Sequence, residues 1–160
     1  MADIVTDLPT TSPRAGEQHV IQEYLKFSLA SEFYGFKLTN IREILSLPPI
    51  TPVPRAPEEV VGVCSVRGLL VTVVDLGRLL KLTPRPLGRR ARILLAEARS
   101  GEVLGLLVDE VSHVLRLSTA EVESASSAFG GEVPEHVAGV ARPEGQVMIL
   151  LELGSLFSTE

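Results

Sequence analysis

The sequence predicts a mainly β protein in which two similar small β barrels pack side by side, with short helices following strand ends. Internal repetition is the first observation behind this. The stretch VVGVCSVRGLLVTVVDLGRLL beginning at Val60 returns, about 77 residues on, as VAGVARPEGQVMILLELGSLF beginning at Val137. Gly62 falls on Gly139, Gly68 on Gly145, Leu76 on Leu153, Gly77 on Gly154, and acidic Asp75 on acidic Glu152. The second observation is another pair, YGFKLTNIREILSL from Tyr34 and LGLLVDEVSHVLRL from Leu104, which matches Gly35 to Gly105, Ile41 to Val111 and Ile44 to Val114. The third is the character of these stretches. Val, Ile and Leu in short runs, broken by glycines that supply the positive φ of tight turns, describe strands and hairpins.

In chain order, residues 1–20 mix Thr, Pro, Ser and Gly without a period, and we expect a flexible tail. From Tyr24 the pattern alternates, with Leu25, Phe27 and Leu29 on one side and Tyr24, Lys26 and Ser28 on the other, which predicts a half-buried strand. Ser31-Glu32 turns the chain into a second strand from Phe33 through Phe36 and Leu38 toward Ile41 and Ile44. Pro48, Pro49, Pro52, Pro54 and Pro57 then make an extended surface connection, because proline cannot donate to a ladder. The hairpin around Gly68 follows, and a short helix from Leu76 to about Leu82. Residues 83–92, with Arg85, Arg89, Arg90 and Arg92, predict a solvated basic loop. They carry no interleaved aromatics and no helix to enter a nucleic-acid groove. Ile93–Glu97 is a strand, residues 99–102 a turn, and Val103–Val114 one long strand. Ser118 starts a helical turn, 124–135 is a polar loop, and the second hairpin and a C-terminal helix end the reading.

Composition narrows the function classes. A chain of 160 residues with 45% hydrophobic content supports a real core, and units of about 60 residues would lean on each other. A net charge of −5 disfavours nucleic acid as the main partner. No apolar run reaches the ~20 residues of a membrane span, and the N-terminus lacks a secretory signal pattern, so a cytoplasmic protein is expected. A single cysteine, Cys64, fits a reducing compartment and reads as core packing.

A search for chemistry returns little. His19, His113 and His136 share no metal-ligand spacing with each other or with Cys64, so neither metal nor cofactor is expected. No phosphate-binding glycine loop and no GxSxG elbow occur. Asp75 and Glu152 stand immediately before a Leu-Gly and a helix, where a carboxylate caps exposed amides rather than moving protons. Arg67 stands out beside Gly68 at a hairpin tip: it is either a solubilising tip charge or a guanidinium fork for a partner's carboxylate.

These residues resemble a known family. GVCSVRGLLVTVVDLGRLL is similar to the GVxNLRGxxxPxxDLR signature of the CheW domain, the chemotaxis coupling proteins. YGFKLTNIREI resembles the family's YGIxIxxVxEI segment, VLGLLVDEVSHVLRL its VGLxVDxVxxVL segment, and VAGVARPEGQVMILLELGSLF its closing GxxxxxxxxxxLLDxxxLL stretch. The resemblance runs through residues 22–157 in order, with Ser65-Val66 in place of Asn-Leu and Thr72 where proline is common. It implies a single domain over 21–157 made of two intertwined, SH3-like, five-stranded barrels with a groove between them. It implies no enzyme activity. It implies an adaptor that bridges the cytoplasmic hairpin tip of a methyl-accepting chemoreceptor to the regulatory domain of a CheA-type histidine kinase. Carried over residue by residue, Ile41, Glu43, Gly62, Arg67 and Gly68 fall on partner-contacting positions, and Val108 and Val111 on groove-lining ones. An alternative stays open, favoured by the altered Ser65-Val66 turn: a CheW-like module that engages the receptor only, as competitor or array filler, without activating kinase.

Overall fold

A computed structural model describes residues 20–157. The tail expected over 1–20 lies outside the described residues except for Val20, whose carbonyl accepts a hydrogen bond from Thr119 at 3.0 Å.

The first unit of chain is β1 (Ile21–Leu29), β2 (Glu32–Lys37), β3 (Ile41–Ser46), β4 (Val60–Val66), β5 (Leu69–Asp75) and helix α1 (Leu76–Leu79). The second is β6 (Arg92–Glu97), β7 (Val103–Val108), β8 (Glu110–Ser118), β9 (Val122–Ser124), helix α2 (Ala125–Phe129), β10 (Val137–Ala141), β11 (Met148–Leu151) and helix α3 (Gly154–Phe157). Two sheets result, ordered β8-β1-β2-β11-β10-β9 and β3-β6-β7-β5-β4. Each takes a leading hairpin from one unit and the closing strands from the other. Neighbours within a hairpin are antiparallel, but β11 joins β2 and β5 joins β7 in parallel, a consequence of that exchange.

The interleaving follows from two breaks that alternation could not reveal. The strand expected to run from Phe33 to Ile44 stops at a 3-10 turn, Leu38–Asn40, and the strand expected over Val103–Val114 stops at Asp109. At each break the chain leaves one sheet and enters the other. Apolar spacing persists across the break because both sheets bury a face, so the pattern never announces the crossing.

Pseudo-symmetry accounts for the glycines. Gly35 lies opposite Leu150, and its repeat mate Gly105 lies opposite Val73, the repeat mate of Leu150. Gly62 and Gly139 pass so close to the carbonyls of Thr51 and Glu123 that any Cβ would collide with them. Thr51 bridges Val63 as Glu123 pairs with Val140, so the isolated bridge is the counterpart of β9, the extra strand of the six-stranded sheet.

Three apolar clusters fill this frame. Leu25, Phe27, Leu29, Phe36, Leu94, Leu106, Val108 and Leu151 form the core shared by the two sheets. Cys64, Val71, Val73, Ile93, Leu95 and Leu107 fill the interior of the five-stranded unit. Tyr24, Leu117, Ala141, Met148 and Leu150 fill the other. Cys64 is core as expected, and burial pushes its thiol up from the ordinary range. With shared core on one face and barrel interior on the other, β1 is not half-buried: Lys26, expected on the open side, is only 3% exposed.

Two loop expectations also change. Within 124–135, Ser124 accepts a hydrogen bond from Ser127 N at 3.3 Å and starts α2, and Gly130, at φ 72°, ends it. In the segment 83–92, Arg85 is not solvated. Its guanidinium makes a bidentate pair with Asp109 at 2.7 and 2.6 Å, lies where a Cβ on Gly77 would stand, and shares Asp109 with the Ala30 amide at 2.8 Å. The connector is therefore clamped to the β1–β2 turn, the β7–β8 crossing and α1 together, and Asp109 raises the Arg85 pKa.

Candidate partner-contact site

The site grows from the β4–β5 hairpin. Val66 and Leu69 close the ladder, leaving Arg67 and Gly68 as a two-residue turn at φ 49° and 84°. Positive φ at both central positions matches the right-handed twist of the flanking strands. Arg67 adopts it at some strain, while Gly68 has open space around it. The tip reaches β3, at the opposite edge of the same sheet, where the Arg67 guanidinium donates to the Glu43 carboxylate. This ion pair ties the two edges of the sheet across the barrel mouth. It holds the Glu43 carboxyl below its ordinary range and raises the Arg67 guanidinium.

Apolar surface surrounds the pair. Leu69 and Leu70 are 63% and 76% exposed, and Ile44 on β3 is also exposed. Sequence reasoning missed these leucines. The signal was present, because two consecutive leucines directly after a tip Arg-Gly cannot both point inward. Of the residues singled out from sequence, Glu43, Arg67 and Gly68 converge here. Ile41 packs partly buried against the shared core. Gly62 is buried beneath Thr51, where its role is to admit the close-passing chain. Val108 is 0% exposed between the sheets and offers no groove surface, and Val111 is partly buried against the same core. The resemblance implies groove-lining positions for both, and packing of the second sheet against them removes that surface.

The second unit places a carboxylate where the first has the Arg67 guanidinium. Glu144 holds the place of Arg67 at φ 57°, Gly145 that of Gly68 at φ 79°, and His113 that of Glu43. The Glu144 carboxylate lies 4.0 Å from His113 Nε2 and 3.8 Å from Lys26 Nζ. Exposed Val114 and Val147 occupy the places of Ile44 and Leu70. The two tips carry residues of opposite sign at the corresponding position, Arg67 and Glu144.

Asp75 caps α1, accepting from Gly77 N at 3.0 Å and Arg78 N at 3.3 Å. Its mate Glu152 keeps the corresponding backbone bond: Asp75 N donates to Glu59 O at 2.7 Å, and Glu152 N to His136 O at 2.8 Å. His136 Nδ1 lies 2.6 Å from Ser155 Oγ, but that hydroxyl donates to the Glu152 carbonyl at 2.9 Å and so ties the α3 turn to its neighbour. Among the described residues no group of three or more His, Cys, Asp or Glu is gathered to hold a metal ion, and no helix is long and apolar enough to cross a membrane.

Comparison with known proteins agrees with this architecture. The CheW-like domain profile matches residues 23–160. The chemotaxis protein CheW of Rhizobium meliloti is 31% identical over 139 residues, 87% of this chain and 89% of its own. That of Klebsiella aerogenes is 29% identical over 154 residues, covering 96% and 91%. Protein FrzA of Myxococcus xanthus is 30% identical over 141 residues, 86% of each chain. The crystal structure of the scaffolding protein TtCheW from Thermoanaerobacter tengcongensis superposes with a TM-score of 0.79 at 27% identity, covering 88% of this chain and 95% of that one. With the profile spanning both units and their interleaved strands, the chain belongs to the CheW-like domain family.

Proposed function

We propose that this chain is a chemotaxis adaptor without enzymatic activity, one that couples chemoreceptors to a CheA-type histidine kinase at the receptor array. The observation that carries the reading is the β4–β5 tip: a fixed guanidinium–carboxylate pair beside two leucines left in water. Exposed leucine with an oriented charge next to it is the composition of a reversible docking surface, in which apolar burial supplies affinity and the charge sets register. Relatives named as chemotaxis CheW proteins and a solved scaffolding protein of the same fold support the adaptor reading. The Arg67–Glu43 pair has a consequence for mechanism. A partner that takes Arg67 must replace Glu43 or engage the pair together, so both residues act on one contact.

Calorimetric titration of the protein with the kinase regulatory domain, then with a receptor tip hairpin from the same genome, tests this. Binding to both, weakened about tenfold or more by Arg67→Glu or Leu70→Asp with the fold intact, is the expected result. Binding to neither would overturn it. Binding to the receptor hairpin alone would select the competitor or array-filler reading, which the departure from the family signature at Ser65-Val66 keeps open.

A further inference from the structure

The second hairpin tip is held differently from the first. Its loop is longer, running from Arg142 through the 3-10 turn Pro143–Gly145 to Val147, and it has internal hydrogen bonds from Gly145 N to Arg142 O at 3.2 Å and Gln146 N to Pro143 O at 3.0 Å. Lys26 reaches this loop from inside the barrel. Its ammonium lies 3.2 Å from Gln146 Oε1, 3.8 Å from the Glu144 carboxylate and 4.0 Å from the centre of the Phe33 ring.

The fold does not require a lysine there. By strand pairing Lys26 lies opposite Gly35 as Leu95 lies opposite Gly105, so the sister barrel fills the equivalent position with a buried leucine. A buried ammonium carries a desolvation cost that leucine avoids, and replacing such a group by an apolar residue is often neutral or stabilising overall. What lysine adds is a fixed cation beneath a loop whose residues Glu144, Gly145, Gln146 and Val147 are otherwise in solvent.

We propose that Lys26 is a positioning residue for the β10–β11 tip: from the barrel interior it fixes the loop through Gln146 and Glu144, and so sets where Val147 and the Glu144 carboxylate are presented. The role in shaping the loop stands independently of the adaptor reading. Its consequence for partners rests on that reading, because the tip is the charge-reversed counterpart of the Arg67 tip.

The test is amide hydrogen exchange on the full chain carrying Lys26→Leu, the residue the sister barrel uses. Exchange at Gly145 and Gln146 should rise about tenfold or more, while amides of the Arg67 tip and the global melting temperature hold or improve. Gln146→Ala alone should give part of the same effect, and adding it to Lys26→Leu should add nothing. Unchanged exchange in the loop, or fully additive effects of the two substitutions, would overturn the proposal. Should Lys26→Leu unfold the chain, Gln146→Ala decides alone: loosening of the loop supports the proposal and an unmoved loop refutes it. If the loop loosens but partner titrations do not change, Lys26 still positions the loop and the second tip drops out of the contact surface.

Discussion

Arg85→Ala should destabilise the protein by about 2–4 kcal/mol. Breaking a buried ion pair by removing one partner costs roughly 3–5 kcal/mol. The Arg85 and Asp109 side chains retain 16% and 23% of their exposure, which lets water recover part of that loss. The Ala30 amide stays with Asp109 at 2.8 Å and softens it further. In a chain of this size each kcal/mol moves the melting temperature by about 2–4 °C, so the expected fall is on the order of 5–15 °C. Urea unfolding at pH 7 measures it, with an unchanged m-value to show that the surface exposed on unfolding is the same. Asp109→Asn combined with Arg85→Ala should cost far less than the sum of the two alone, since each removes the same contact. A loss below about 0.5 kcal/mol would mean that the pair behaves as an exposed salt bridge, and the clamp of connector, crossing and α1 would have to be abandoned.

The hairpin glycines should separate by cause. Gly68→Val meets only backbone strain at φ 84° and should cost about 1–2 kcal/mol, whereas Gly62→Ala meets the Thr51 carbonyl and should cost more, with both read by thermal melting. Equal melting temperatures for Gly68→Val and wild type would refute the turn assignment. The Arg67–Glu43 latch should weaken in acid. The Glu43 pKa is lowered from 4.5 in the folded protein, so its contribution is complete above that value and fades as pH falls through the lower, folded pKa. Partner affinity followed from pH 7 down to about pH 4 should fall only near the bottom of that range if the latch matters. The exchange Arg67→Glu with Glu43→Arg should restore the contact across the barrel mouth without restoring partner affinity, which nuclear magnetic resonance shifts at the tip together with calorimetry can separate.

Several features were legible from residues alone because they depend on local chemistry. The paired glycines, the hairpin at Arg67-Gly68, the carboxylate cap at Asp75 and the buried thiol of Cys64 each follow from what a turn, a helix start or an apolar strand demands of its own neighbourhood. The duplication was legible too, since it is a property of the sequence itself, and it led to the right fold class. The serine start at Ser118 was also visible, and it forms a capping box with Glu121.

Which strands share a sheet was decided by the tertiary structure. Leu38–Asn40 and Asp109 send the chain across to the other sheet while apolar spacing resumes on the far side, because both sheets bury a face and each strand keeps apolar residues for it. The same covering turned Lys26 from a surface residue into an interior one and took Val108 out of reach of any partner. It also gave Arg85 a carboxylate that a count of arginines could not supply. Charge meets charge here across 24 residues at Arg67–Glu43 and again at Arg85–Asp109, and 120 residues separate Lys26 from Gln146. The sequence alone determined the repeat, its turns, the opposite charges of Arg67 and its repeat mate Glu144, and the family it belongs to; the interleaving of the two halves, and with it the partners each tip finds in Glu43 and Lys26, came from long-range pairing, which no local pattern encodes.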